Sequence, residues 1–213
     1  MKILARVPII AAGFLLACAS TALAIPVTVY DTLHGGSGDV DNVLYQSNDQ
    51  GTTVNATINS NPGFAAVFTS TTEIKESGGQ SSLKAADGTS YTDLCFSLTA
   101  GSTFTKLQIN PDAIANGTIT FQVTYLLPAG VFNSVDFTLN MNGQNFFTIE
   151  AGDGALLTEV CWTSTVGISD ANQYRVGGLA RATTTNVPDG GSTVALLGFG
   201  LTGLGFISRR LRK

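Results

Sequence analysis

The sequence predicts an all-β domain, an antiparallel β-sandwich of jelly-roll-like type, flanked by two targeting segments. Three observations predict this class. Apolar and polar residues alternate with a period of two in several segments, as they do in half-buried strands. Turn-forming residues separate those segments at short intervals. Charged residues make up only 12% of the 213 residues, whereas glycine contributes 24. Many short strands with one polar face each are typical of sandwiches and jelly rolls.

The alternation defines the expected strands in chain order. It is clearest at residues 92–98, 117–127 and 131–140, where every second residue is apolar. The same reasoning predicts further strands at residues 26–32, 52–59, 64–70, 80–85, 104–110, 145–150, 156–165 and 172–180.

Turn signals occupy the gaps between these segments. Asn61-Pro62-Gly63 and Asn110-Pro111-Asp112 are typical turn sequences. Asn142-Gly143 lies between two strongly alternating segments, which predicts a tight hairpin there.

Residues 1–24 are predicted to be a cleaved signal peptide. A basic start precedes an apolar stretch at residues 7–17, and Ala22 and Ala24 form an A-x-A cleavage site. A second cut stays open, because residues 15–18 resemble a lipobox that would leave a lipidated Cys18. Signal peptidase is therefore an expected partner, and the β domain is expected to span residues 25–181.

The C-terminal residues have the order of a membrane-retention signal. A linker at residues 182–193 contains the turn motif VPDGGST, an apolar transmembrane segment follows at 194–208, and a basic cytoplasmic tail occupies 209–213. The motif comprises Val187, Pro188, Asp189, Gly190, Gly191, Ser192 and Thr193, and the tail cations are Arg209, Arg210, Arg212 and Lys213. The 14 residues from Val194 to Ile207 would span about 21 Å as a helix, against a hydrocarbon core of about 30 Å. This short length favours transient retention, with a lasting anchor as the alternative.

Charge excludes one class of partner. Residues 25–187 carry five Lys and Arg against fourteen Asp and Glu, a net charge of −9. Nucleic-acid binding needs clustered cations that displace counterions from phosphates. We therefore expect no nucleic-acid partner.

Two cysteines remain in the predicted mature domain. Cys95 and Cys161 occupy polar-phase positions of their strands, between apolar neighbours. An oxidising compartment permits a disulfide, so the two are expected to be bonded if their strands are neighbours.

Other chemistry-bearing residues give weaker patterns. His34 is the single histidine and has no nucleophile elbow or second soft ligand, so neither a catalytic residue nor a protein-bound transition metal is expected. Asp31, Asp39, Asp41 and Asp49 lie in a Gly/Ser/Asn-rich segment, which keeps a loose Ca²⁺ site open as the one candidate cofactor.

Two glutamates are a candidate acid/base pair. Glu150 and Glu159 fall near the ends of neighbouring predicted strands, which is one arrangement used in glycoside hydrolysis. Trp162 shares a face with Val160, which favours core packing over sugar stacking. The sequence therefore predicts a non-enzyme.

The C-terminus resembles the PEP-CTERM class of bacterial sorting signals, in its VPDSG variant. The resemblance is carried by Val187-Pro188-Asp189, Gly191-Ser192-Thr193, Leu196-Leu197-Gly198 and Arg209-Arg210-Leu211, and it departs at Gly190, where the variant has serine. It covers about an eighth of the chain.

This resemblance implies an exported precursor inserted in the inner membrane. It implies processing by an exosortase-type membrane protease/transpeptidase, followed by delivery to the cell surface or extracellular matrix of a bacterium that makes exopolysaccharide. The β domain is then expected to be a non-catalytic structural or adhesive module. A carbohydrate- or calcium-dependent module for exopolysaccharide is the alternative, and a secreted glycan hydrolase is a third.

Overall fold

The computed structural model describes residues 26–36, 38–45, 49–77, 82–126, 129–141 and 143–181. Every helix or strand in these residues is a β-strand, and every ladder between strands is antiparallel. The predicted all-β antiparallel class is therefore confirmed. The expected signal peptide and the sorting segment at 182–213 lie outside the described residues.

The described residues form fourteen strands. They are β1 (Val27–Tyr30), β2 (Asp41–Leu44), β3 (Gln50–Ile58), β4 (Ala65–Ser77), β5 (Ser82–Ala85), β6 (Tyr91–Leu98), β7 (Ser102–Thr103), β8 (Lys106–Ala113), β9 (Gly117–Leu126), β10 (Gly130–Asn133), β11 (Phe137–Leu139), β12 (Phe147–Ala151), β13 (Leu156–Gly177) and β14 (Ala180–Arg181).

Twelve of these strands form one sheet, and β7 pairs with β14 in a second, two-stranded sheet. The main path runs β1-β12-β8-β13-β2-β3-β4-β5, and β6 pairs with both β13 and β4. Following the ladders from β13 through β6, β4, β3 and β2 therefore leads back to β13. Beyond this closed ring, β9 pairs with β13 and carries β10 and β11.

The 22-residue strand β13 folds back on itself and so divides the sheet into two layers. Leu157 exchanges hydrogen bonds with Phe104, at 2.8 and 3.0 Å, and the Thr105 N–H donates to the Gly177 carbonyl at 2.9 Å. Residues 157 and 177 would lie about 66 Å apart on a straight strand. Because residues 157 and 177 bond to the neighbouring residues 104 and 105, β13 must bend between them. The result is two layers of one folded sheet, and a jelly-roll connectivity is not confirmed.

The bend lies at residues 164–168, where the register of β13 shifts and its partner changes from β9 to β8. Side chains approach two glycines closely at this corner. A Cβ on Gly167 would lie 2.2 Å from the Ser90 Oγ, and one on Gly117 would lie 2.7 Å from the Val166 methyl groups. The two glycines therefore leave room at the corner for the side chains of Ser90 and Val166.

The core between the layers is aromatic. Phe68 packs edge-on against Phe96 and Tyr174, with ring centroids 5.3 and 4.8 Å apart. On the other side of the domain Phe121 and Phe147 join β9 to β12, with centroids 5.2 Å apart. All five rings are at most 1% exposed, so these contacts hold the two layers together.

Two sequence expectations about strands are wrong. Asn110-Pro111-Asp112 is not a turn, because β8 continues through it to Ala113. Proline is tolerated there because the ladder with β12 ends at Ile109, so that ladder needs no N–H from Pro111. The Asn145 amide donates to the Pro111 carbonyl at 3.0 Å. The two strands predicted at 156–165 and 172–180 form one bent strand for most of their length.

The Asn142-Gly143 hairpin is also not formed by the flanking strands. Among the described residues β11 pairs with β9, whereas β12 pairs with β8 and β1. The side chain of Asn145 bonds to the backbone at Asn140 and Gly143, so a buried amide shapes this connection. The segment predicted as one strand at 131–140 is divided between β10 and β11.

Both ends of the described domain meet at the pole opposite the β13 corner. Val27 pairs with Ala151, whose N–H donates to the Thr105 carbonyl at 2.8 Å. Ala180 pairs with Thr103. The start of β1 and the end of β14 therefore lie at the same pole of the domain, about 30 Å along β13 from the corner. No helix in the part of the chain that the structure describes has the length and apolar character to span a membrane.

Candidate functional site

A polar cleft of about 410 Å³ opens beside the β13 corner. It lies between β4, β5, the loop after β5, the end of β8 and the middle of β13. Its lining residues are Lys75, Lys84, Ala85, Gly88, Thr89, Asp112, Ser169 and Asp170. Carboxylates, ammonium groups and hydroxyls therefore converge there, so the cleft offers hydrogen-bond donors and acceptors together.

Two carboxyl groups face each other across strands in this cleft. Asp112 on β8 is the direct cross-strand partner of Asp170 on β13. Burial raises the pKa of Asp112, and the charge of Asp170 raises it further. Burial also raises the pKa of Asp170, although its bond from the Ser82 hydroxyl opposes this. Like charges directly opposite one another are unfavourable, so the pair favours a bound proton or a donor between the two side chains.

Neighbouring groups hold the two carboxyls in place. The Ser82 hydroxyl donates to Asp170 at 2.6 Å, and the Lys84 Nζ lies 3.5 Å from the other Asp170 oxygen. The Asn172 amide donates to Asp112 at 3.1 Å. These contacts come from β5 and β13, so the site depends on the pairing of Ala171 with Leu83 that joins those strands.

A second cleft of about 590 Å³ adjoins the first and shares Asp112 and Ser169 with it. Its other lining residues are Ala113, Ile114, Gly143 and Gln144. Ile114 is half exposed and gives this cleft an apolar wall.

Sequence reasoning missed Asp112, Asp170 and Lys84. The sequence places Asp112 in an expected turn because of Pro111, and Asp170 between two expected strands. The sequence VGISDANQY at residues 166–174 could have shown that the strand continues between the two predicted strands. It also carries a carboxylate, Asp170, next to the apolar Ala171.

The structure places His34 and Glu150 together, in a different part of the fold. The His34 Nδ1 lies 2.7 Å from a Glu150 oxygen, and the Lys106 Nζ lies 3.4 Å from the other. The imidazole stacks on Tyr30 at 4.0 Å between ring centroids. These contacts tie the loop after β1 to β8 and β12.

Glu150 and Glu159, which the sequence offers as an alternative acid/base pair, have different partners. Glu150 bonds to His34 and Lys106, whereas Glu159 lies on β13 beside the cysteines. The two strands are not neighbours, because β12 pairs with β1 and β8. The two glutamates therefore do not lie on paired strands, contrary to the arrangement weighed from the sequence.

The four aspartates of the candidate Ca²⁺ site do not form a cluster of metal-ligating side chains in the described residues. Asp41 accepts from the Asn61 amide at 2.6 Å, and Asp49 accepts from the backbone N–H groups of Gln50 and Asn55. Within the described ranges, one group of three metal-ligating side chains comes within 4.8 Å of one another, and it contains none of the four.

That group is Cys95, Glu159 and Cys161. The two cysteines are directly opposed on β6 and β13 and form a disulfide, which confirms the predicted bond. Trp162, the next residue, is 2% exposed and donates from its indole N–H to the Tyr174 hydroxyl at 3.3 Å. Its predicted place in the core is confirmed.

The sorting motif, the tail cations and the cleavage residues Ala22 and Ala24 all lie outside the described residues. Residues 186–211 match the VPDSG-CTERM motif, which supports a PEP-CTERM-like sorting domain at this end of the chain. No curated protein and no solved structure matches.

Proposed function

We propose that this chain is an exported precursor whose C-terminal segment is recognised by an exosortase-type protease/transpeptidase, and whose β domain is delivered to the cell surface or matrix as a non-catalytic structural or adhesive module. The observation that carries the proposal is the motif match at residues 186–211, which points to export and passage through the membrane. A disulfide in the preceding domain suits an oxidising compartment outside the cytoplasm.

The geometry of the domain supports presentation of that segment to a membrane enzyme. Arg181 is the last residue of β14, and Val187 opens the motif six residues later. Six residues reach about 20 Å when fully extended. Because β1 and β14 leave from the same pole, both predicted membrane-directed segments start from one side of the domain, and the clefts lie on the other.

Processing is tested by expressing the tagged chain in a bacterium with and without its exosortase gene. We expect the surface fraction to have lost Arg209 to Lys213 by intact mass, and the knockout to accumulate the full precursor in the membrane. Replacing Pro188 and Asp189 by alanine should block processing. Gly190→Ser, which restores the residue of the variant motif, serves as the matched control and should be processed at least as well as the wild type.

Recovery of the intact tail on surface protein in both strains would contradict the proposal. It would support a lasting membrane anchor instead.

A second candidate for the β domain is the binding of a polyhydroxylated chain such as the producer's exopolysaccharide. The specific observation in its favour is the pair of adjoining clefts, which combine carboxyl, hydroxyl and amide groups with the apolar wall of Ile114. A glycan array, probed with and without Ca²⁺, tests it. Binding that weakens in Ser169→Ala but not in Thr138→Ala, on a different part of the surface, would favour this function, and no binding would leave the structural role.

A further inference from the structure

We propose that Cys95, Cys161 and Glu159 form a redox-gated site for a soft divalent cation such as Zn²⁺. The disulfide closes the site, and its reduction releases two thiolates that bind the metal with the carboxylate. This site is separate from the clefts at the corner and is independent of the sorting proposal.

Strand pairing places all three side chains on one outer face. Cys95 and Cys161 are direct cross-strand partners, and Glu159 precedes Cys161 by two residues on β13. Residues two apart on a strand share a face. Val160 between them is 1% exposed and points into the core, so Glu159 and Cys161 point away from it.

The ligand atoms are already close enough to converge on one ion. Both sulfurs and a carboxylate oxygen of Glu159 lie within 4.8 Å of one another. Tetrahedral zinc with bonds of about 2.3 Å to sulfur and about 2.1 Å to oxygen has ligand atoms about 3.5 Å apart. Side-chain rotation of about 1 Å is therefore sufficient, and the backbone register need not change.

The ligand set selects a particular class of metal. Two thiolates favour zinc and other soft or borderline cations over Ca²⁺ and Mg²⁺, which prefer oxygen. Three protein ligands leave a fourth position for water. A groove of about 200 Å³ lined by Cys161, Gln122, Asn133 and Thr163 adjoins the sulfurs and gives that position access to solvent.

The chemistry balances with a dithiol as reductant. One thiolate of the dithiol attacks a cysteine sulfur and releases the other cysteine as a thiolate. The second thiolate of the dithiol then attacks the mixed disulfide, which leaves both cysteines reduced and the dithiol as a cyclic disulfide. Zn²⁺ then replaces the two thiol protons, so one metal bound releases two protons.

The test uses the full chain in detergent, with Cys18→Ser in every sample so that the only thiols are Cys95 and Cys161. A phosphine reductant, which is oxidised to its phosphine oxide, replaces the dithiol so that no added thiol competes for metal. Co²⁺ and Zn²⁺ are the probes. Sulfur-to-cobalt charge-transfer absorption, proton release and the melting temperature are measured on oxidised and reduced samples.

We expect the reduced chain to bind one Zn²⁺ with release of two protons and a rise in melting temperature, and the oxidised chain to bind none. Cys95→Ser should abolish the charge-transfer band. Glu159→Gln should weaken binding by at least about 10-fold, the lower limit for loss of even an outer-shell partner. Glu73→Gln removes the same charge at an exposed position of β4 outside the group and should have no effect.

Absence of the band in the reduced chain would overturn the site. An equal affinity in Glu159→Gln and Glu73→Gln would overturn the assigned ligand set. If reduction unfolds the chain, Zn²⁺ must restore the native near-ultraviolet signal, and failure to restore it would also refute the proposal.

Discussion

The Cys95–Cys161 bond should contribute a large part of the stability of the domain, and the double variant Cys95→Ala/Cys161→Ala tests this. The bond closes a loop with a sequence separation of 66 residues. In the chain-entropy model a loop of this length restricts the unfolded chain by about 4 kcal/mol at 25 °C. Both side chains are half-buried on the outer face, so their truncation leaves little cavity in the core.

The expected result is a fall of about 4 kcal/mol in the free energy of unfolding. For a domain of this size it corresponds to a fall of about 8–16 °C in melting temperature. Urea denaturation measures it directly. The slope of the transition should also steepen in the variant, because its unfolded chain is less compact.

The control is Cys18→Ser, which leaves the bond intact, and the wild type treated with reductant should behave like the double variant. A variant within about 0.5 kcal/mol of the control, the range of ordinary surface substitutions, would refute the reasoning. It would mean that residual structure in the unfolded chain already restricts it as much as the bond does.

Three further predictions follow from packing and charge. Gly167→Ala should lower the free energy of unfolding by about 1–3 kcal/mol, because the added methyl group overpacks the β13 corner. Urea denaturation measures this loss, with Gly38→Ala as the control because a Cβ there meets nothing within 4 Å. Equal losses in the two variants would contradict the close approach at Gly167. Asp112→Asn should stabilise the fold at neutral pH, because burial and the charge of Asp170 raise the pKa of this carboxyl in the folded state, so that its ionisation disfavours folding. The gain should disappear as the pH falls through the raised folded pKa towards the ordinary value of 3.8, and a gain constant from pH 3 to pH 8 would exclude this cause. Phe121→Ala should lower the free energy of unfolding by about 3–5 kcal/mol, because its ring is 1% exposed between the layers. A loss below 1 kcal/mol would show that other contacts hold the two layers together.

The sequence predicted local structure better than connectivity. Alternation at Leu94, Phe96 and Leu98 identified β6 and its buried face, because a period of two is a property of a single strand. The polar phase of Cys95 and Cys161 correctly predicted their bond once the strands were neighbours. Pairing depends on contacts between distant residues, so no local pattern could show that β13 bends or which strands it joins.

The candidate site was missed for the same reason. Asp112 and Asp170 are 58 residues apart in sequence and become partners only through the β8–β13 register. Pro111 also misled the interpretation, since proline usually ends a strand. Its tolerance there depends on where the ladder with β12 ends, at Ile109, since no N–H is then needed at Pro111 for that ladder. The end of a ladder between distant strands has no signature near the proline.

The way the domain ends also determines how it would respond to mechanical tension. A pull on a C-terminal attachment enters at Arg181, where the two-residue β14, one hydrogen bond to the Gly63 carbonyl and the guanidinium over Phe64 would yield first. The force then reaches β13, which is hydrogen-bonded to five other strands along its length. Extending it requires many of those bonds to shear together, so under tension the contacts of β14 would open well before the rest of the fold.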